Sequence, residues 1–276
     1  MRFSILAVVS ALTATAIAAP ASLVKRSPVS DIASLNFALT LEHLGAEFYR
    51  RGLAKFSQAD FRRAEYDDKS THVTYLSNAI KSLHGHPVPP CKYKFPLNNI
   101  AWFVAVSQAL ENIGTSAYLG AAADLEGDLL TAFGTMVTLE SRQSAIVNEI
   151  RRQSGIPYPF DPPLTGHEVI TLESSLIESC PFTLPYKPFT QLMARLPGKG
   201  RTKTENWFQG QRRNVKYWCQ FLYYNRAVVS RHEKCALPAT AVDYVHVVIT
   251  DSSTPVSLHD DSHIVAGPVL LFNGSR

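Results

Sequence analysis

The sequence lacks the short motifs by which several large enzyme classes are recognised. Its 276 residues contain no G-x-S-x-G nucleophile motif, no P-loop and no glycine-rich dinucleotide fingerprint. Four cysteines are present, and none of them belongs to a C-x-x-C pair of the kind that zinc sites use. Beyond the first twenty residues, no apolar run approaches the roughly 20 residues that cross a bilayer. With 46% hydrophobic and 18% charged residues, the composition is that of a globular chain and excludes wholesale disorder.

The N-terminus has the pattern of a secretory signal peptide. Arg2 is followed by a short apolar stretch over residues 5–17 and then by small residues, as at a signal cleavage site. Lys25 and Arg26 form a dibasic pair that resembles the processing site of kexin-type proteases. We therefore predict a secreted, extracellular protein whose mature chain begins near Ser27.

Much of the excess positive charge belongs to this N-terminal segment. The formal net charge is +4, and residues 1–26 contain three basic side chains and no acidic one. We therefore expect no nucleic-acid partner, and the apolar pattern predicts no membrane anchor. A basic stretch over residues 195–216 is compatible with a solvated loop or with contact to a polyanionic wall polymer. A cell-wall or other extracellular partner therefore stays open.

Apolar periodicity predicts four helices in the first half of the mature chain. Their expected limits are residues 31–55, 57–85 with capping residues at its start, 97–123 and 128–155. The connection between the second and third helices contains Pro87, Pro89 and Pro90, which exclude a helix there. A proline-rich stretch over residues 156–181 follows, with one short helix expected near residues 167–178.

The pattern changes after this stretch. Runs of β-branched and aromatic residues, separated by turn-forming residues, occur at residues 215–219, 244–250 and 269–272. The predicted fold class is therefore α+β with two domains. A signal peptide and propeptide over residues 1–26 precede an antiparallel four-helix bundle over residues 27–183, and a small β-sandwich-like domain covers residues 184–276.

The cysteines fit an oxidising compartment, where an even number of them usually forms disulfides. They are Cys91, Cys180, Cys219 and Cys235. Three pairings are possible. We favour Cys91–Cys180 with Cys219–Cys235, because one bridge then lies in the helical region and the other in the β-rich region.

Each predicted helix has an apolar stripe that is interrupted near its middle by polar side chains. The interruptions are Glu42 in the first helix, Lys69 and His72 in the second, Glu111 in the third, and Glu140 and Gln143 in the fourth. When two antiparallel hairpins form, these positions come to the same height in the bundle. Buried carboxylates at one level are costly unless positive charge lies among them. Metal ions, a buried lysine ammonium or shared protons could supply that charge.

Four sequence segments surround these positions: LTLEHL at 39–44, THV at 71–73, LEN with SAYLGAA at 110–122, and TLESR at 138–142. They resemble the helix motifs of the secreted ferritin-like proteins of fungi, a family that includes stress-response and late sexual development proteins and is similar to plant desiccation-related proteins. The resemblance implies a ferritin-like bundle with a di-iron site, built from one Glu on each of two helices and a Glu-x-x-His on each of the other two. It also implies a setting in extracellular stress or developmental response.

The chain departs from the family pattern in two places. Where the second helix of the family has Glu-x-x-His, this chain has Lys69 before His72, and the motif of the fourth helix ends in Gln143 instead of histidine. The ligands that the resemblance implies are thereby reduced to Glu42, His72, Glu111 and Glu140. Four ligands suffice for one Zn²⁺, Mn²⁺ or Fe²⁺ ion, whereas two irons would lack a carboxylate and an imidazole. Asp68, four residues before His72, is a possible substitute carboxylate.

Two functions are compatible with these residues. The first is a metal-free, non-redox extracellular protein with a degenerate di-iron site, in which the ammonium of Lys69 replaces the lost metal charge. The alternative is a metal-dependent iron or manganese oxidase, or an iron-binding protein, that uses the four remaining ligands. Tyr75 and Tyr118 lie one or two turns away and are expected to pack in the core or to donate hydrogen bonds to the site. The sequence leaves open whether the protein is an enzyme.

Overall fold

Four long helices follow one another in the N-terminal half of the chain. The computed structural model describes residues 28–56, 60–195, 205–208, 214–224, 226–241, 243–256 and 260–273. The expected signal peptide and propeptide, the dibasic pair, the capping residues 57–59 and most of the basic stretch lie outside the described residues. The helices are α1 (Pro28–Lys55), α2 (Asp60–Ser82), α3 (Ile100–Ala122) and α4 (Gly127–Ile150).

Local sequence explains where the third and fourth helices begin. The side chain of Asn99 accepts a hydrogen bond of 2.8 Å from the backbone N–H of Trp102, so α3 starts after this cap and not at residue 97. The fourth helix begins at Gly127, whose φ of +57° lies in the left-handed region that glycine adopts readily. It ends at Ile150, before the expected limit at residue 155.

The four helices form two hairpins, with α1 packed along α2 and α3 along α4. Their apolar stripes meet in a core whose large, fully buried side chains include Leu35, Leu39, Phe48, Leu76, Phe103 and Phe133. The rings of Phe48 and Phe103 stack with their centroids 4.8 Å apart, which joins α1 to α3. In the described part of the chain, no helix combines the length and apolarity needed to span a membrane.

The segment after the bundle folds back across it. The short helix α5 (Gly166–Glu173) starts with a capping box, in which Thr165 and Glu168 each accept a hydrogen bond from the other's backbone N–H. A 3-10 turn then leads to a short strand that pairs antiparallel with another in the connection between α2 and α3. These strands are β1 (Lys92–Tyr93) and β2 (Ile177–Ser179). Because α5 packs against α3, the segment covers one side of the bundle.

Both disulfides pair as predicted. Cys91–Cys180 lies next to the β1–β2 pairing and joins residues separated by 89 positions, so it ties the connection between α2 and α3 to the segment that follows the bundle. Cys219–Cys235 lies in the C-terminal part and closes a loop with a separation of 16 positions.

The C-terminal part is an antiparallel sheet region, so the predicted α+β fold is confirmed. Its strands are β3 (Leu192–Arg195), β4 (Glu205–Phe208), β5 (Trp218–Tyr223), β6 (Arg226–Arg231), β7 (Asp243–Thr250) and β8 (Ile264–Asn273). The first two strands pair with each other, and the other four form a sheet in the order β6-β5-β7-β8. A bridge between Thr190 and Ala266 attaches the β3–β4 pair to the larger sheet.

Two of the three expected strands lie within β7 and β8. The third, expected at residues 215–219, begins only at Trp218. Strands β3, β4 and β6 were not expected. The last of these is an edge strand that is only partly buried and has Arg226 and Arg231 at its ends, so its sequence has little of the apolar alternation that marks a strand.

Candidate metal centre

Five of the predicted site residues meet in the interior of the bundle. Glu42 comes from α1, Lys69 and His72 from α2, Glu111 from α3 and Glu140 from α4, and each is at most 8% exposed. Their charged groups are therefore removed from water together. Such burial is tolerated only when the charges are paired and hydrogen-bonded.

Lys69 lies among the carboxylates. Its Nζ is 2.7 Å from Oε1 and 2.6 Å from Oε2 of Glu140, and 3.1 Å from Oε2 of Glu111. Burial alone would lower the pKa of Lys69, but the charges of Glu111 and Glu140 outweigh burial and raise that pKa well above its usual value. The side chain is therefore an ammonium that two carboxylates hold in place.

Two glycines make room for this ion pair. A Cβ atom at Gly45 of α1 would lie 3.3 Å from Cδ of Lys69, which is a tight contact with the lysine stem. A Cβ atom at Gly114 of α3 would lie only 2.5 Å from Oε2 of Glu140, so any larger residue displaces that carboxylate. The bundle therefore accommodates the Lys69–Glu140 pair through small residues on the two facing helices.

Gly114→Ala is therefore expected to destabilise the protein by about 1–3 kcal/mol, because the added methyl group moves the carboxylate of Glu140 away from Lys69. Gly134→Ala is the matched control on α4. A Cβ atom there meets no described atom within 4 Å, so this change should stabilise the helix by about 0.5–1 kcal/mol. Urea unfolding of the two variants tests the difference in sign. Equal stabilisation in both would contradict the position of the Glu140 carboxylate.

Glu42 receives hydrogen bonds from two side chains at the same oxygen. Tyr118 Oη donates to Oε1 over 2.5 Å, and His72 Nδ1 lies 3.1 Å from it. Burial acts to raise the pKa of Glu42, but the charge of Lys69 and these hydrogen bonds outweigh burial and lower it. The other oxygen, Oε2, has no hydrogen-bond partner among the described residues.

Two tyrosines donate hydrogen bonds to the carboxylates on the α1 and α3 side. Tyr49 Oη donates to Oε1 of Glu111 over 2.6 Å, in the way that Tyr118 donates to Glu42. Burial and the neighbouring carboxylates raise the pKa of both tyrosines well above the usual value, so both remain donors. Tyr75, the other tyrosine considered from the sequence, is 42% exposed.

Two further buried glutamates lie beside the cluster and were not predicted as site residues. Burial, with the charge of Glu111 adding to it, raises the pKa of Glu65 to about 10. Burial also raises the pKa of Glu173, the last residue of α5, to about 8, although Lys69 acts against this. Both carboxyl groups therefore hold their protons at neutral pH. The spacing could have revealed Glu65, one turn before Lys69 on the same stripe, but Glu173 lies outside the four-helix pattern.

The amide of Gln143 on α4 contacts Asp68 on α2. Nε2 of Gln143 donates a hydrogen bond of 3.0 Å to Oδ2 of Asp68. The amide that stands where the family has an imidazole therefore binds the residue proposed as a substitute carboxylate. For Asp68 to become a metal ligand, this hydrogen bond would have to break.

Comparison with known proteins agrees with the geometry. A family model described as a ferritin-like domain matches residues 30–153. The four helices within this match therefore have a ferritin-like fold. Protein rds1 of the fungus Schizosaccharomyces pombe is 24% identical over 163 residues, which cover 55% of this chain and only 40% of that protein. These matches support the resemblance to fungal ferritin-like proteins.

A solved structure also matches part of the chain. It is that of a ferritin-like, diiron-carboxylate protein from Bacillus anthracis str. Ames, with 19% sequence identity and a TM-score of 0.42. The match covers 45% of this chain and 98% of the bacterial one.

The ferritin-like domain has donors that fit one metal ion better than two. Ligand atoms of Glu42, His72 and Glu140 all lie within 4.8 Å of one another, and carboxylate with imidazole suits Fe²⁺, Mn²⁺ or Zn²⁺. A second ion about 3.5–4 Å away would need the carboxylates of Glu111 and Glu140. The Lys69 ammonium already holds both of these groups. The donor set therefore does not fit a di-iron site while Lys69 keeps these contacts.

Proposed function

We propose that this chain is a secreted ferritin-like protein in which the Lys69 ammonium has replaced the metal charge, so that its role is non-redox. The observation that carries the proposal is the contact of Lys69 Nζ with both oxygens of Glu140 and one oxygen of Glu111. By its resemblance to fungal stress and developmental proteins, this role belongs outside the cell, where a wall polymer or another extracellular molecule is the expected partner. The proposed domains are residues 27–183 and 184–276, after a signal peptide and propeptide at 1–26.

The charge balance of the cluster supports a metal-free core. Glu65 and Glu173 hold protons at neutral pH because burial raises the pKa of each. The remaining carboxylates receive hydrogen bonds from Tyr49, Tyr118 and His72 as well as the charge of Lys69. Protons, one ammonium and hydrogen bonds thus perform the neutralisation that metal ions perform in a di-iron bundle.

Metal content tests the proposal. Protein purified from culture medium without chelator should contain well under one metal ion per chain by elemental analysis, with a folded helical spectrum. The same sample should consume no oxygen when Fe²⁺ is added. About two iron or manganese ions per chain would contradict the proposal and would favour the oxidase.

Restoring the family ligands should restore metal binding if only the ligands have changed. The double variant Lys69→Glu with Gln143→His is expected to bind iron that the unmodified protein does not retain after gel filtration, because it regains a carboxylate and an imidazole. Lys69→Met with Gln143→His is the matched control, since it removes the same ammonium without adding a carboxylate. Iron that remains on neither variant would show that the scaffold has diverged beyond these two positions.

A second function has one specific observation in its favour. The ligand atoms of Glu42, His72 and Glu140 are close enough for a single ion, and Oε2 of Glu42 has no partner among the described residues. Such an ion would supply Lewis-acid or redox chemistry to a metal-dependent oxidase or iron-binding protein, with Glu111 and Asp68 nearby. The variants His72→Ala and Glu111→Ala should then lose bound metal. Unchanged metal content in both would exclude this alternative.

A further inference from the structure

A small cavity lies against the charged cluster of the ferritin-like domain. Its volume is about 40 Å³, which is room for about three water-sized groups. Most of the lining is apolar and comes from α1, α3 and α4, with side chains such as Phe37, Leu41 and Phe133. The charged lining residues in the described part of the chain are Glu42, Lys69, Glu140 and Glu173. The cavity is therefore apolar along its walls and rich in carboxyl groups at one end.

Two of these carboxyl groups have an unused oxygen. Oε2 of Glu42 and Oε2 of Glu173 are buried and have no hydrogen-bond partner among the described residues. The Lys69 ammonium does not donate to these oxygens, because its contacts are with Glu140 and Glu111. A buried acceptor without a donor is costly, typically by about 1–3 kcal/mol. A guest that brings N–H donors to this end of the cavity would remove that cost.

A larger cleft adjoins the cavity. The cleft measures about 490 Å³ and lies between α1, α3 and the start of α5. It shares four lining residues with the cavity: Ser34, Phe37, Ala117 and Ala121. Asp124 and Asp261 also line the cleft, so its outer part has acidic side chains. The cavity therefore has a neighbouring cleft whose acidic side chains favour cations over anions.

We propose that the cavity binds a small primary alkylammonium ion, with its N–H groups on Glu42 and Glu173 and its carbon atoms against the apolar wall. Ca²⁺ or Mg²⁺ fits less well, because these ions need six or more oxygen ligands or retained water. An anion is disfavoured by the ionised carboxylate of Glu42. The proposal rests on the metal-free state proposed above, since a metal ion would occupy Glu42.

Ethylammonium is the probe that matches the cavity, because it has three heavy atoms. It is titrated into the full-length protein at pH 8, followed by NMR, with ethanol and acetate as uncharged and anionic compounds of similar size. Ligand-efficiency limits place the expected Kd no tighter than about 1 mM. Ethylammonium should bind at least ten-fold more tightly than ethanol, and acetate should not bind.

Glu173→Gln should weaken ethylammonium binding by ten-fold or more. Glu168→Gln is the matched control, since Glu168 is a buried glutamate of the same helix that does not line the cavity. Metal content is measured on the same sample. Metal-free protein that fails to bind ethylammonium, or that binds it equally well in both variants, overturns this inference and leaves the proposed function intact. About two metal ions per chain overturns the proposed function instead, and ethylammonium bound to that metal-loaded protein overturns the assignment of Glu42 as its acceptor.

Discussion

Replacing Lys69 by methionine is expected to lower the free energy of unfolding by about 3–5 kcal/mol at pH 8, because removing one partner of a buried ion pair leaves the other charge uncompensated. Methionine fills a similar volume with an apolar chain, so the loss comes from charge and not from a cavity. The carboxylates of Glu111 and Glu140 lose their cation, and Glu42 loses the charge that keeps its pKa low.

The deficit of this variant should depend on pH. As pH falls, the carboxyl groups that have lost their ammonium take up protons and cease to repel one another, so the deficit at pH 5.5 should be smaller than at pH 8. Urea unfolding at the two pH values measures it. Lys81→Met is the control, because Lys81 is exposed on the same helix and its loss should change stability by no more than about 0.5 kcal/mol. A Lys69→Met variant as stable as this control at pH 8 would contradict a structural role for the ammonium.

The helical part of the fold could be predicted because its stripes are regular. Four amphipathic segments of the right length, joined by short or proline-containing connections, allow little else than two antiparallel hairpins. The same regularity placed Glu42, Lys69, His72, Glu111 and Glu140 at one height, and the structure brings them together. Interruptions of the apolar stripes were therefore sufficient to predict that these five residues cluster.

The rest of the site could not be predicted from that pattern. Glu173 reaches the cluster because α5 packs against α3, and such a contact between elements far apart in sequence leaves no periodic signal. The role of Gly114 depends on the Glu140 carboxylate on another helix, so its sequence position alone does not reveal it. In the sheet region, the strand predicted at residues 215–219 overlaps only the first two residues of β5, and the partly exposed edge strand β6 was not predicted. Pairing between strands is a tertiary effect, which weakens any prediction from local sequence.

A buried histidine in the sheet region makes the free energy of unfolding depend strongly on pH. His246 of β7 is fully buried, and neither ring nitrogen has a hydrogen-bond partner among the described residues. Its cross-strand neighbours are Leu222 of β5 and Leu270 of β8, so the imidazole lies between apolar side chains. Burial lowers the pKa of His246 to about 3. The native sheet therefore accepts the ring only in its neutral form.

The protein therefore loses stability as pH falls from about 6.5 towards 3, because the imidazole of His246 binds a proton in the unfolded chain but not in the folded chain. The variant His246→Leu lacks this titrating group, and its side chain packs well against the neighbouring leucines. Its free energy of unfolding relative to the unmodified protein should therefore rise by about 3 kcal/mol when the pH is lowered from 7.5 to 4. Urea unfolding at both pH values measures this difference. His263→Leu is the control, since that imidazole is about half exposed and hydrogen-bonded to Asp251. A pH dependence that is the same in the His246→Leu variant and in the unmodified protein would mean that the imidazole is hydrated or paired in solution, and that acid acts on the sheet through other groups.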